Sequence, residues 1–325
     1  MNTALVTAIG SFSADATIKN LKNKGFRVIG CDIYPQEWIA NTVLVDQFYN
    51  APLAVEHAQY LEFIKDICLK ECINYVIPLT DVEVDILNLN REWFEKNQIC
   101  LCLSPKDTIT LCRNKEKLAE FTSSLDYINT IPTYPLKSIN YSNSLPFDSF
   151  PLICKPINGR SSQGICRIYS QQDLTNFCNS NNLDNYIIQP YIKGSVVTVD
   201  IVRQADGTKA VAIPRQELLR TLNGAGTSVY VFSDNKFQNS CIKLANALGI
   251  VGCVNFEFIK DSDGIYHFLE CNPRFSGGIA FSCIAGYDCI NNHIAAFNGE
   301  EIEELRSYRN QYIVKKYQEQ VTCIE

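Results

Sequence analysis

Over the first hundred residues, short apolar runs alternate with amphipathic stretches. Thr3–Gly10 (TALVTAIG) is an apolar run that ends on a glycine, and the spacing behind it predicts a helix over Ala14–Lys24, closed by Gly25. Strands are predicted at Phe26–Asp32, Ile73–Leu79 and Gln98–Leu103, with helices over Glu56–Glu71 and Val84–Lys96 between them. That alternation implies a parallel sheet with right-handed crossovers. Ligands of such sheets gather outside the carboxyl ends of the strands. Asp32 falls there, as do Asp81 and Glu83 in Pro78-Leu-Thr-Asp-Val-Glu83.

The pattern then changes. Ser104-Pro105-Lys106-Asp107 opens a helix well, with serine as cap and proline in the first turn. Asn114 can cap a second helix over Lys115–Ser124, and Thr130–Phe150 reads as loop and edge structure. The rest is richer in strands: Pro151–Lys155, Tyr186–Tyr191, Val196–Arg203, Lys209–Ile213, Gly252–Lys260 and Ile265–Cys271. Helices lie at about Gln171–Ser180 and Phe237–Leu248.

Composition narrows the function classes. The 325 residues suggest about two domains. The net charge of −6 argues against a nucleic-acid surface or a membrane-coating basic helix. No apolar run reaches the ~18 residues of a membrane span, and the N-terminus lacks the basic region of a signal peptide. A cytoplasmic protein is expected. Fifteen cysteines are many, and they fit either a metal or disulfide framework or small apolar filler in a reducing compartment. There is no C-x-x-C, and none of His57, His267 and His293 stands at zinc-ligand spacing from a cysteine pair, which favours filler.

Two segments carry chemistry. In the first, Lys155 ends an apolar strand and Gly159-Arg-Ser161-Ser162-Gln-Gly164 follows. A buried lysine needs an anionic partner, and glycines let backbone N–H groups turn toward phosphate oxygens. A plain hairpin with a snorkelling lysine explains the segment equally well. In the second, Asp263-Gly264 between apolar runs signals a two-residue hairpin. Facing residues then place Glu257 opposite Glu270 and Asn255 opposite Asn272, all on one face. Opposed carboxylates destabilise a bare sheet. A divalent cation on oxygen ligands removes the repulsion, and magnesium bridging to substrate phosphates fits best. An ordinary solvated acidic face is the alternative. Arg274 can reach the same phosphates or pair with one of the acids.

These motifs, with V-I-P-x-x-D-x-E near residue 80, Asn114-Lys115, Ile187–Gly194 and Glu270-Cys-Asn272-Pro-Arg274-Phe-Ser-Gly277-Gly278, resemble the ATP-grasp superfamily. The likeness is strongest to stand-alone proteins similar to the synthetase domain of carbamoyl-phosphate synthase large subunits. It implies an α/β and α+β chain: a Rossmann-like pre-ATP-grasp sheet over 1–104, a small lobe with linker helices and flap over 105–185, and a large lobe over 186–325. It assigns ATP phosphates to Lys115 and Lys155, and the flap to the loop holding Gly159, Ser161, Ser162 and Gly164. Adenine falls to Gln189 and the backbone at Tyr191 and Ile192, and magnesium (or manganese) to Glu257, Glu270 and Asn272. Arg274 would stabilise the phosphoryl group in transfer. Asp81, Glu83, Arg215, Arg220, Thr227 and Ser228 are the expected substrate residues.

Val196 stands where the family carries a ribose-binding glutamate, and Thr198 or Asp200, on the same face, could substitute. The implied activity is ATP-dependent ligation of a carboxylate to an amine through an acyl phosphate. Small-molecule substrates, no nucleic acid, no membrane and a homodimer as an option complete that picture. A non-catalytic nucleotide-binding regulator is the alternative. A nicotinamide enzyme ranks third: Asp32 lies at ribose-binding distance from Gly10, but Gly10-Ser-Phe-Ser-Ala-Asp15 has one glycine where the fingerprint has three. Cys154 and Cys271 adjoin the expected catalytic positions and are expected to be sites of oxidative or alkylating inactivation.

Overall fold

The computed structural model describes residues 1–139, 145–147, 149–160, 163–222 and 224–323. Three sheets carry the chain. The first is built from β1 (Thr3–Val6), α1 (Ala14–Asn23), β2 (Arg27–Asp32), β3 (Gln47–Asn50), α2 (His57–Lys70), β4 (Tyr75–Ile77), α3 (Asp81–Leu89), α4 (Arg91–Lys96) and β5 (Cys100–Leu101). It is parallel, in the order β3-β2-β1-β4-β5. The predicted helix Val84–Lys96 divides at Asn90, and β3 adds an edge strand that the apolar pattern of half-exposed QFYN did not reveal. Helix α3 starts where β4 ends, under a capping box in which Thr80 and Glu83 satisfy each other's backbone N–H groups. This start holds Asp81 at the carboxyl edge of the sheet.

Helices α5 (Lys106–Arg113) and α6 (Lys115–Ser123) follow, the second capped by the Asn114 side chain, and then β6 (Asn129–Thr130). An antiparallel sheet comprises β7 (Tyr134–Pro135), β8 (Leu152–Pro156), β9 (Cys166–Ile168) and β10 (Tyr186–Pro190), in the order β7-β10-β8-β9, with α7 (Gln171–Ser180) packed on β9. The third sheet is formed by β11 (Ser195–Arg203), β12 (Ala210–Arg220), β13 (Gly226–Val231), β14 (Gly252–Lys260), β15 (Tyr266–Asn272) and β16 (Gln311–Val314). With β6 it runs β16-β13-β12-β11-β14-β15-β6. Helices α8 (Asn235–Ala247), α9 (Ile279–Ile284) and α10 (Cys289–Asn298) cover it. Strand β12 is longer than predicted, and β13, β16, α9 and α10 were not anticipated.

One apolar core joins the first and third sheets: Ile18 and Leu21 of α1 share a cluster with Ile290 and Ile294 of α10. The carboxyl edge of the parallel sheet is thereby fixed beside the face of β14 and β15. Ten of the fifteen cysteines are buried and all are free, so they act as apolar filler. Cys68 packs inward while Cys72, beyond the helix, is exposed. Burial pushes the Cys154 thiol up to about 12 and that of Cys271 well above its usual value. Neither is a ready nucleophile, so the expected sensitivity to alkylation has no basis. No helix among the described residues is long and apolar enough to cross a membrane.

Candidate active site

The β14–β15 hairpin places Asn255 opposite Asn272 and Glu257 opposite Glu270, the pairing predicted from sequence. It does so by another route. The chain turns over five residues, 261–265, where Asp261 accepts the N–H groups of Asp263 and Ile265. That longer loop shifts the register by one, and a bulge at Leu269 shifts it back before Glu270.

The paired carboxylates are in electrostatic conflict. Burial and then Glu270 hold the Glu257 carboxyl above its usual range. Burial would raise Glu270 too, but Lys115 and Lys155 outweigh it and hold it low. Asn272 Nδ2 lies 3.5 Å from Glu257 and 3.3 Å from Glu270. Asn255 Oδ1 is buried and accepts no hydrogen bond from the described residues. Two carboxylates with an orphaned amide oxygen beside them form an oxygen-rich donor set of the kind magnesium takes, and half a turn of the Asn272 amide adds a further oxygen. The residues present fit a divalent cation.

Cations surround this face. Lys115 Nζ stands 3.1 Å from Glu270 and donates to the Gly159 carbonyl at 2.9 Å. Arg220 reaches Glu257 at 3.3 Å. Arg274 donates to Asp81 at 3.0 Å and to Asn272 at 3.4 Å. Asp81 also has Arg113 at 3.7 Å, and these two guanidinium groups hold its carboxyl low despite its burial. Lys155 is 4% exposed, and no hydrogen bond or ion pair reaches it from the described residues. Burial brings its ammonium down to about 8, with Glu270 opposing.

All of these groups except Arg113 line one cavity of about 1100 Å³. Its inner wall is apolar, formed by Ile131, Ile153, Ile192, Val196 and Leu269, with Gln189 bound to Thr133 and Tyr191 under the Arg167 guanidinium. Among the expected nucleotide residues, Lys115, Lys155, Gly159, Gln189, Tyr191 and Ile192 line it. Ser161 and Ser162 lie outside the described residues. Gly164 is set back against Pro156, in a left-handed conformation (φ +72°).

Several expectations need correction. Asp200 is fully buried and bonded to Arg215 and Ser282, so it does not face the cavity, whereas Thr198 lines it. Arg215 lines the cavity, but its guanidinium is spent on Asp200, Glu217 and Ser276. Both Glu83 oxygens are taken, by Thr80 and Tyr60, so it positions α3 and does not meet substrate. Thr227 and Ser228 lie in β13, away from the lining, where Thr227 donates to the Leu219 carbonyl. Asp32 lines the cavity with each oxygen accepting a backbone N–H, from Gly10 and from Tyr34, so it braces the turn after β1 and the end of β2. Sequence reasoning missed Ile131, Ile153, Leu269 and Arg113. Apolar wall positions carry no motif, and Leu269 enters only through the bulge.

Residues 182–320 match a family described as ATP-grasp in the biosynthetic pathway with Ter operon, and residues 5–102 match the PylC-like N-terminal domain. Over 182–320 the chain is similar to the ATP-grasp family. Over 298 residues the chain is 21% identical to the carbamoyl phosphate synthase large chain of Clostridium acetobutylicum. That match covers 88% of the chain but 27% of the relative, so the chain spans about a quarter of that protein's length. Solved structures agree on the fold. The biotin carboxylase domain dimer of Hydrogenobacter thermophilus 2-oxoglutarate carboxylase, with MgADP, ADP and bicarbonate, superposes with a TM-score of 0.77 at 19% identity, covering 95% of this chain and 73% of that one. N5-carboxyaminoimidazole synthetase from Staphylococcus aureus, complexed with ADP, gives 0.73 at 15% identity, covering 93% and 78%.

Proposed function

We propose that the protein is an ATP- and magnesium-dependent ligase that joins a carboxylate to an amine and releases ADP and phosphate. The observation that carries this reading is the meeting, in one cavity, of the Glu257–Glu270 pair and the buried Lys155, which has no partner among the described residues. Glu257, Glu270 and Asn272 would hold magnesium, which when bound neutralises charge on the phosphates. Lys155 and Lys115 bind phosphate oxygens, and the apolar wall around Gln189 and Leu269 takes the adenine. Arg274, fixed by Asp81, stabilises the phosphoryl group as it moves.

The substrate carboxylate oxygen attacks the terminal phosphorus, and the bond to the ADP oxygen breaks. The amine nitrogen then attacks the acyl carbon. Phosphate departs with the C–O electron pair, and the ammonium proton passes to solvent. Positioning and charge neutralisation supply the rate, with no nucleophilic side chain.

ADP formation from MgATP, measured across a panel of amino acids and carboxylic acids, tests this. Turnover that depends on a particular pair and falls at least a hundredfold in Glu270→Ala supports the ligase. Val196 in the ribose position favours a second reading, a nucleotide-binding regulator. ADP binding without turnover by any pair would establish that one instead.

A further inference from the structure

The cavity of about 1100 Å³ exceeds the ~300–1,000 Å³ of most single-ligand pockets, and its two ends differ in chemistry. The lysines, the carboxylate pair and the adenine wall occupy one end. The other runs over the carboxyl edge of the parallel sheet, where Phe12, Ile33, Tyr34, Leu53, Val55 and Tyr60 form the lining. Exposure in this arm rises from 40% at Phe12 to 60% at Val55, with Tyr60 buried at its base. Large apolar groups left open on a concave wall mark a surface that a ligand covers.

The charged group of the arm is Asp32, and it is already engaged. Asp32 spends both oxygens on Gly10 and Tyr34, and the Tyr60 hydroxyl donates to Glu83. Charged groups collect where the arm meets the phosphate end: Arg274, Arg220, and two buried carboxylate oxygens without hydrogen-bond partners among the described residues, Asp81 Oδ1 and Glu217 Oε2. A molecule that fits both regions has an ionic head and an uncharged, apolar body.

We propose that this arm holds the aliphatic or aromatic side chain of an amino-acid substrate whose ammonium and carboxylate lie at the junction. The assignment rests on the ligase reading only in placing the reacting groups there. A glutamate side chain would lose its hydration and face the Asp32 carboxylate, and a lysine would find only that carboxylate, already bound to two backbone N–H groups, so discrimination comes mainly from the apolar wall.

The test measures the thermal midpoint of the full chain with MgADP and then with added leucine, phenylalanine, lysine or glutamate. Leucine or phenylalanine is expected to raise the midpoint further, and lysine and glutamate are not. Leu53→Asp is expected to weaken that amino-acid binding at least tenfold while the shift with MgADP persists, which also shows that the variant folds. Ile33→Ser provides a milder second variant with the same direction. Equal or tighter binding of lysine or glutamate overturns the proposal, as does MgADP binding with no response to any of the four. Leucine or phenylalanine binding without ADP formation from any carboxylate and amine sinks the ligase reading and leaves the arm's assignment standing.

Discussion

Replacing Glu257 by glutamine should make the ligand-free protein more stable and at the same time remove its response to magnesium. In the folded chain Glu257 faces Glu270, and burial together with that neighbour holds its carboxyl above the ordinary value. A carboxyl raised in this way costs stability at neutral pH, where it is ionised; the cost disappears once pH falls below its unfolded value. Directly opposed like charges in a sheet cost about 0.2–1 kcal/mol. This pair belongs near the top of that range, with side-chain exposures of 15% and 23%. With an unfolding entropy of ~2.1 cal/mol/K per residue over 325 residues, ~1 kcal/mol moves the midpoint by about 1.5 °C. The ion pair with Arg220, which glutamine cannot make, is partly exposed, and its absence offsets only part of the gain. The wild type should gain more when loaded: ligand at a hundredfold its Kd adds ~2.7 kcal/mol, or about 4 °C on the same scale. Differential scanning fluorimetry with and without MgADP reads both effects. A glutamine variant that melts below the wild type without ligand, or that keeps the full magnesium-dependent increment, refutes the metal assignment.

Three further outcomes are expected. Lys155, brought down to about 8 by burial, should take up a proton when it meets a phosphate, so ADP affinity should weaken by up to tenfold per pH unit above pH 8. Calorimetry in buffers of different ionisation enthalpy would reveal that uptake, and Lys155→Met should abolish it. In the ligand-free protein the same lysine lowers stability below pH 8, a cost that fades as pH rises toward its unfolded value. Asp200→Asn should cost about 3–5 kcal/mol, because it strips the buried Arg215 of its main partner. ADP affinity below the melting point should then stay within twofold, whereas a ribose ligand would lose far more.

The parallel sheet and the chemistry of the hairpin were legible because both rest on periodicity. Alternation in Gly252–Lys260 put Asn255 and Glu257 on one face, and the fold kept them there. The turn itself was not legible. Asp263-Gly264 looks like a two-residue loop, but Asp261 captures two backbone N–H groups and the His267 ring, which widens the loop. The compensating bulge depends on packing that no spacing rule encodes. Asp200 shows a different limit. It shares a face with Thr198 by alternation, yet β11 passes from the cavity to beneath α9 within those two residues. Which residues of one face meet a ligand is decided by what lies over the strand. Strands β13 and β16 were missed for a third reason, since glycines precede the first and the second is a half-exposed edge.

The pairing of charges in the ligand-free cleft indicates how binding is coupled to its chemistry. Lys115 is held by Glu270, Arg220 by Glu257 and Arg274 by Asp81, while Lys155 has no partner among the described residues. A divalent cation on Glu257 and Glu270 would release Lys115 and Arg220 together, and both would then be free for phosphate or carboxylate oxygens. Metal and nucleotide should therefore bind with positive coupling, each removing the competitor of the other. Arg274 is different, because its partner Asp81 sits at the start of α3, away from the carboxylate pair, and is not displaced by the cation. Its guanidinium stays held by the start of α3, so on the proposed ligase reading the phosphoryl group would meet a charge already in place.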